Sequence, residues 1–585
     1  MYLPKLPLKV GLRPRHLPLL LVAALGVACQ SGQAPIAPPP GPAQPSAADT
    51  SAPVTPKTPR LVFAIGAPGT ESSTPRDVSQ LDTWVTRPAY EYLIGVDKDG
   101  KDVLDKVSQL ATEWAVEPDG KSYRFKLRKG VQFHYGKGEI TADDVIFSWQ
   151  HLIATDSLNN HSPRYRAQIT DIEKVNDYEV VFRLRQPDLA FIWNVGETEG
   201  SFEILSKKDA DSRPKFPPTL VDPPLAGTGP YFVKERKQGQ YVRFERIAGQ
   251  HYRKTADFPE FEWRFIPENS TRLAALLTRE VQMAALPQEM IGQAEKGGMK
   301  AIKAVAAVGG QSFVHFYGPW AKPIDPTVTA DPTATTPISD VRVRKALSKA
   351  INRNELNTAF LQGRGTLIYN LTFHPSRPGW NPDWEKRFKD EYGYDPEAAK
   401  KLLADAGYGP GKALKHTMIL SRSYGYYPEL KDMAEAVANY WRLVGVDVTI
   451  DQPDPPLQTA RTNRGEYTNH TVMVPTSVRQ FFGIGIYAGG YQILNTAGLV
   501  SGKAGGDFTE PGEFYLNKLR PTIDPSKWDG LFRELGNMLY ERHTEIPLFW
   551  LPVYAVVDPQ VVAEYPFSGT LTGPFANVEY IRPAR

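Results

Sequence analysis

The residue types that usually carry out catalysis are present, but they lack the spacing that catalysis requires. There is no Gly-x-x-x-x-Gly-Lys-Ser/Thr phosphate loop, no His-Glu-x-x-His zinc motif and no Gly-x-Ser-x-Gly nucleophile turn. Residues 483–489 miss the dinucleotide-binding spacing by one residue. The 10 histidines are scattered, and His134, His251 and His315 would bind a metal only if the fold gathered them. The sequence therefore predicts a protein that is not an enzyme and needs no cofactor or metal.

The only cysteine, Cys29, lies in a context that suits lipid attachment. Basic residues without any acid precede an apolar run from Leu17 to Ala28. That run is about 12 residues long, shorter than the roughly 20 that a membrane-spanning helix needs. Small residues stand directly before Cys29, as in the bacterial lipobox, although Gly26 occupies the place where leucine is usual. We predict a lipoprotein signal peptide over residues 1–29 with Cys29 lipidated; the alternative is an ordinary signal peptide with a leftover cysteine.

Residues 30–59 form a second segment outside the predicted folded body. They contain nine prolines among Ala, Ser, Thr, Gln and Gly, and almost no large apolar side chain. Such a segment buries too little surface to fold, so we expect a disordered linker that holds the body away from a membrane. No later segment of the sequence is long and apolar enough to span a membrane.

The composition of the whole chain is that of a globular protein. Its 585 residues are 41% hydrophobic and 23% charged, and a single cysteine excludes intrachain disulfides. The formal net charge is +3, and removal of the four basic residues within positions 1–29 leaves −1. This small charge gives no indication of a nucleic-acid partner.

Local patterns predict a mixed α/β body. Short apolar or alternating runs predict strands at 61–65, 123–127, 241–245 and 446–450. Capping residues and apolar stripes at helical spacing predict helices that begin at Thr141, span 395–407, and span 434–443. The helix-Gly-strand order around Gly445 is typical of α/β proteins.

Six motifs follow one another in an order that belongs to a known family. They lie at 110–134 with its continuation 140–149, and at 227–231, 267–273, 340–347, 350–353 and 394–408. With these motifs the chain resembles the bacterial extracellular solute-binding proteins of family 5, the oligopeptide-, dipeptide- and nickel-binding lipoproteins that serve ABC importers. The last third of the chain matches the family poorly.

The resemblance implies an α/β, two-lobed periplasmic-binding-protein fold of type II with an extra subdomain and mixed sheets. The lobes would be joined by crossing strands and close on ligand by a hinge motion. Lobe I would comprise residues 60–100, 205–305 and 548–585, with subdomain II at 101–204 and lobe III at 306–547. The ligand would be enclosed between the lobes.

The resemblance also locates candidate ligand-binding residues. In peptide-binding members, a stretch of the second large lobe supplies an acid that pairs with the peptide's amino terminus. The equivalent stretch here has no acid between Glu466 and Asp507, which makes that binding mode doubtful. An arginine in this stretch offers a planar donor fork for a carboxylate or phosphate, and its aromatic residues offer faces for stacking. The candidates are Tyr317, Trp320, Arg479, Phe481, Phe482, Tyr487 and Tyr491; the alternative is that the aromatic side chains fill the core and Arg479 faces solvent.

The sequence thus predicts a monomeric, lipid-anchored substrate-binding subunit of an ABC importer on the periplasmic side of the cell envelope. It would capture a peptide-like or other small organic solute and deliver it to the transmembrane subunits of a permease. Gln30 after Cys29 favours the outer membrane if the cell has two. Two alternatives remain at this point: an exported hydrolase on the same scaffold, and a binding subunit that reports to a sensor.

Overall fold

The computed structural model describes the folded body of the chain with several gaps. The described residues are 53–68, 71–72, 74–77, 85–96, 104–105, 109–159, 161–188, 191–197, 202–213, 224–305, 310–317, 336–375, 378–420, 427, 429–454, 457, 461, 469–476, 509–522, 524–567 and 574–585. They belong to one unit, Pro45–Arg585. The predicted signal peptide, Cys29 and most of the predicted linker lie outside the described residues.

The strands of the described part form three larger sheets and two short strand pairs. Their bounds are β1 Arg60–Ile65, β2 Gly95–Val96, β3 Leu104–Asp105, β4 Ala111–Val116, β5 Ser122–Leu127, β6 Ile169–Asn176, β7 Glu179–Leu184, β8 Tyr231–Lys237, β9 Tyr241–Arg246, β10 Glu260–Phe265, β11 Met283–Ala284, β12 Lys300–Lys303, β13 Gly310–Tyr317, β14 Thr366–Leu367, β15 Leu414–Ile419, β16 Val446–Asp451, β17 His470–Thr476, β18 Glu545–Leu551, β19 Tyr554–Val557, β20 Val562–Glu564 and β21 Arg582–Pro583.

Helices connect and cover these sheets. Their bounds are α1 Ala142–Leu152, α2 Ser162–Gln168, α3 Phe191–Asn194, α4 Lys207–Asp211, α5 Asn269–Leu277, α6 Gln288–Lys296, α7 Val341–Lys349, α8 Arg353–Leu361, α9 Pro382–Tyr392, α10 Pro396–Asp405, α11 Glu429–Leu443, α12 Thr509–Phe514 and α13 Trp528–Glu541. Single helical turns occur at Pro75–Asp77, His134–Gly136, Pro337–Ser339, Tyr515–Leu519, Pro525–Lys527 and Val578–Tyr580. Among the helices described, none is long and apolar enough to cross a membrane.

The seven-stranded sheet is built around β1. Its order is β12-β19-β11-β1-β10-β9-β8, with β1 parallel to both β10 and β11. Leu61, Phe63 and Ile65 point into one apolar cluster, whereas Val62 and Ala64 point into another that contains residues of α5 and α6. Because β1 is buried on both faces, its sequence is a continuous apolar run rather than an alternating one.

The six-stranded sheet has the order β14-β18-β13-β17-β15-β16. Strands β15, β16 and β17 are parallel, and β13 is antiparallel to both β17 and β18. Helix α11 covers part of it, and buried apolar residues of this sheet share one cluster with those of the seven-stranded sheet. The two large sheets are joined by two chain connections, residues 304–309 from β12 to β13 and residues 552–553 from β18 to β19. We call the region of these two connections the junction.

A four-stranded antiparallel sheet, β4-β5-β7-β6, forms a third layer with its own apolar cluster. Helix α1 packs on it and begins after Thr141, the cap that the sequence predicts. The structure adds a capping box, in which Thr141 and Asp144 bond each other's backbone groups. The mixed α/β class is confirmed. The lobe and subdomain boundaries remain predictions.

The local sequence patterns identified the strands and helices that they predict. The predicted strands correspond to β1, β5, β9 and β16, and the helix after Asp395 is α10, whose cap is the Asp395 carboxylate. The helix expected at 434–443 begins five residues earlier, at Glu429. Asp340 caps α7 and forms an ion pair with Arg342, whereas the buried Arg344 donates to backbone carbonyl groups.

The glycines of the motif 227–231 allow two backbone segments to approach each other closely. An ideal Cβ built on Gly227 would lie 2.1 Å from the Ala89 carbonyl oxygen, and one on Gly229 would lie 2.4 Å from that of Pro88. The turn leads directly into β8. Its role in the described structure is therefore scaffolding.

We predict that Gly227→Ala destabilises the protein by about 3 kcal/mol or more, because the added methyl group meets backbone that has no room to move. The matched control is Gly292→Ala, since no atom lies within 4 Å of its Cβ position inside α6. That change should be neutral or stabilising by up to about 1 kcal/mol, through helix propensity. Urea denaturation of both variants measures the difference, and equal midpoints would contradict the scaffolding role.

Candidate functional site

The carboxyl ends of the parallel strands in both large sheets point to the junction. In the seven-stranded sheet β12 leads into the connection after Lys303, and β1, β10 and β11 run in the same direction as β12. In the six-stranded sheet β18 leads into the other connection after Leu551, and β15, β16 and β17 run in its direction. Ligands of α/β proteins bind outside the carboxyl ends of strands, so the junction is the candidate site.

Most of the candidate residues predicted from the sequence lie outside the described residues. This holds for Trp320 and for Arg479, Phe481, Phe482, Tyr487 and Tyr491. The last five follow Thr476, the last residue of β17, which lies opposite Gln311 at the junction end of the sheet. The segment that contains them thus begins at the edge where the candidate site lies.

Tyr317 is described through its backbone only. It is the last residue of β13 and pairs with His470, the first residue of β17. The pair lies at the end of the two strands away from the junction, roughly 20 Å from the Gln311–Thr476 pair at the usual rise of an antiparallel strand. The sequence pattern could not reveal this separation, because it depends on the directions in which the two strands run.

Glu429, the first residue of α11, was not identified from the sequence and is the most unusual acid at the junction. Its side chain is only 6% exposed, and its Oε2 has no hydrogen-bond partner among the described residues. Burial raises the pKa of Glu429 to about 7, and the Glu289 carboxylate at the start of α6 adds to the rise. Nearby, a Cβ on Gly310 would lie 2.5 Å from Tyr427 Oη, so this tyrosine covers the first residue of β13.

Two further buried oxygen atoms at the junction lack a described partner. Gln288 donates from Nε2 to the Pro552 carbonyl at 2.9 Å, which leaves its Oε1 unbonded. Thr372 donates its backbone N–H to Gln311 Oε1 at 3.1 Å, and its own Oγ1 has no partner. Thr372 also has a φ of 67°, which is rare for a β-branched residue and costs about 1–3 kcal/mol. Such strain is concentrated at functional sites.

A second polar region lies between the four-stranded and seven-stranded sheets. It surrounds a cavity of about 20 Å³, room for one or two water molecules. Arg87 Nη1 lies 3.6 Å from Glu197 Oε1, and Arg253 Nη2 lies 2.9 Å from Glu579 Oε1. Burial alone would raise the pKa of Glu91, but His251 and Arg253 outweigh it and lower that pKa. Because opposite charges face each other here and the cavity is small, this region is structural.

The three histidines that a metal would need do not come together. His134 Nε2 lies 2.9 Å from the Gly229 carbonyl oxygen, and His251 Nε2 lies 3.1 Å from that of Thr228. His315 belongs to β13 in the other large sheet and pairs with Glu545 at 2.6 Å. Within the described ranges, no group of three His, Cys, Asp or Glu side chains could hold a metal ion.

Comparison with protein families and curated proteins gives three matches over much of the chain. Residues 106–472 match the model of bacterial extracellular solute-binding proteins, family 5 Middle. The chain is 30% identical to the dipeptide-binding protein of Escherichia coli (strain K12) over 388 residues, 62% of this chain and 66% of that protein. It is 29% identical to heme-binding protein A of Haemophilus influenzae over 404 residues, 66% of this chain and 68% of that protein. The chain thus spans about two thirds of the length of these relatives.

A solved structure matches over almost its full length. The periplasmic binding protein DppA of Helicobacter pylori, in complex with peptide STSA, has a TM-score of 0.68 and 22% identity. The match covers 90% of this chain and 98% of that chain. It confirms the two-lobed periplasmic-binding-protein fold. The relatives are binding proteins and not enzymes, which agrees with the prediction from the sequence.

Proposed function

Because the chain belongs to family 5 of the bacterial extracellular solute-binding proteins, we propose that it is the substrate-binding lipoprotein of an ABC importer. It captures a peptide-like or other small organic solute at the junction of its two large sheets. It then delivers the solute to the transmembrane subunits of a permease. It acts as a monomer and carries out no reaction on the solute.

The orientation of the strands at the junction is the observation that carries this proposal. The carboxyl ends of β1, β10 and β11 face those of β15 and β17 across two chain connections. A pair of short connections permits a hinge motion in which the two sheets close around a solute. The buried oxygens of Gln288, Thr372 and Glu429 supply polar groups to such a site.

The residue types proposed for the site, and not any one relative, support the proposed chemical class of the solute. A dipeptide-binding protein and a heme-binding protein are similarly related to this chain, so relationship alone does not select a ligand. Arg479 supplies a donor fork for a carboxylate, and Phe481, Phe482, Tyr487 and Tyr491 supply aromatic faces. Trp320 completes the proposed set, whereas Tyr317, at the end of β13 away from the junction, is not included in it. A peptide-like solute with a carboxylate and apolar groups suits these residue types best.

Membrane attachment through Cys29 completes the proposal. The apolar run before Cys29 and the proline-rich residues 30–59 after it are the parts that an exported, tethered protein requires. Lipid on Cys29 holds the protein at the periplasmic side of the envelope, and the linker allows the body to reach a permease.

Native mass spectrometry of protein purified without refolding tests the function directly, because a closed binding protein can retain its ligand. We expect a population heavier than the mature chain by the mass of a small organic solute. Mild denaturation should release that mass, and fragmentation of the released molecule should identify its class. A retained polymer fragment or a reaction product in place of an intact solute would contradict the proposal.

Cys29→Ser should release the protein from membranes, since the variant lacks the thiol that carries the lipid. We expect the unchanged protein in the membrane fraction and the variant in the soluble fraction. Immunoblotting of fractionated cells measures the distribution. Membrane association that is the same for both would refute the anchor.

Arg479→Ala should weaken binding of the co-purified solute by at least about tenfold, as expected for loss of a charge-assisted hydrogen bond. Isothermal titration calorimetry measures the affinity. Arg461→Ala is a suitable control, because this arginine pairs with Asp451 at 3.2 Å and thus has a structural partner. Unchanged affinity of Arg479→Ala would remove this residue from the site.

A further inference from the structure

We infer that Glu429 binds a protonated amine of the solute at the junction. The inference rests on the proposed function and assigns a ligand group to one residue of the site. It matters because the stretch between Glu466 and Asp507 contains no acid. Any cationic group of the solute therefore needs a carboxylate from another part of the chain.

The position of Glu429 supports this role. It opens α11, after the chain has left the carboxyl end of β15 at Ile419, so it belongs to the edge that faces the seven-stranded sheet. Glu289, which lies close enough to affect its pKa, belongs to α6 on that other sheet. Glu429 is thus placed where residues of the two sheets meet, and not inside either sheet.

The unbonded oxygen of Glu429 indicates which kind of ligand group would fit beside it. A carboxyl group that is 94% buried would normally have partners for both oxygens, but Oε2 has none among the described residues. The one charged side chain of the described part that shifts its pKa is another acid, Glu289. A group that donates hydrogen bonds and carries a positive charge would bond to Oε2 and would offset the negative charge of the two acids.

The other unbonded polar atoms of the junction can also accept hydrogen bonds. Gln288 Oε1 accepts hydrogen bonds only, and Thr372 Oγ1 can accept them. Both side chains are at least 95% buried. A primary ammonium group has three N–H donors and no acceptor, so it matches unbonded oxygen atoms better than a carboxylate or hydroxyl group does.

The groups that face Glu429 determine how binding depends on pH. Glu289 of α6 and Tyr427 are the described groups whose charges interact with Glu429. Near the other end of α11, Tyr440 donates to Glu355 of α8, and Arg442 donates to the Val448 carbonyl of β16. With a pKa of about 7, Glu429 is protonated in the empty site below neutral pH. An ammonium group stabilises the carboxylate, so binding releases a proton, and affinity falls as the pH decreases below about 7.

Calorimetry with matched ligands tests the inference. The probes are the alanyl-X dipeptides of all standard amino acids, followed by the N-acetylated form of the tightest binder, which lacks the ammonium group. We expect acetylation to weaken binding to the unchanged protein by at least about tenfold, because it leaves a buried carboxylate without its partner. The ligand-side change requires no variant of the protein.

Glu429→Gln supplies the second arm of the experiment. With this variant the amine and its N-acetyl form should bind with affinities within about threefold of each other. The fall in affinity between about pH 7.5 and about pH 6, a range chosen around the pKa of about 7, should disappear. Asp432→Asn is the matched control, since it removes an exposed carboxylate from the first turn of the same helix. It should preserve both the preference for the amine and the pH dependence.

The outcomes separate the two proposals. If a dipeptide binds but neither acetylation nor Glu429→Gln changes its affinity, the assignment of Glu429 is overturned while the solute-binding function stands. If no dipeptide binds the unchanged protein, the peptide-like solute is overturned, and the amine assignment falls with it. A tenfold preference for the amine that Glu429→Gln abolishes supports both.

Discussion

Strand direction at two chain crossings determines where this protein can hold a ligand. The chain leaves the seven-stranded sheet after β12 and returns to it at β19, and these strands are antiparallel neighbours. The same relation holds for β13 and β18 in the six-stranded sheet. Both crossings therefore lie at the same strand ends of each sheet. The parallel strands of each sheet direct their carboxyl ends toward the other sheet.

The two buried polar regions differ in a way that distinguishes scaffold from site. Between the four-stranded and seven-stranded sheets, Arg87 faces Glu197 and Arg253 faces Glu579, so these buried charges are paired. At the junction the buried Glu429 faces another acid. Burial of a carboxylate without a cation is unfavourable, and proteins retain such arrangements mainly where function requires them.

The sequence predicted the family and the class of fold well, and it predicted the site only in outline. Six motifs identified family 5, and the apolar run of β1 and the Asp395 cap of α10 identified those elements, because these features are local. The burial of Glu429, the left-handed backbone of Thr372 and the distance of Tyr317 from the junction depend on contacts between segments far apart in the chain. No local pattern contains that information.

A carboxyl group with a pKa near neutrality suits a site that is alternately empty and occupied. While the site is empty, Glu429 is mostly protonated at a pH below about 7, and there the protein avoids the free-energy cost of an unpaired buried charge. When a cation enters, the carboxyl group ionises and the interaction becomes a buried ion pair with direct hydrogen bonds. A neutral solute gains no such pair, and an anion would face Glu289 and Glu429 together. Glu429 therefore reduces the free-energy cost of the empty site and favours binding of a cationic group.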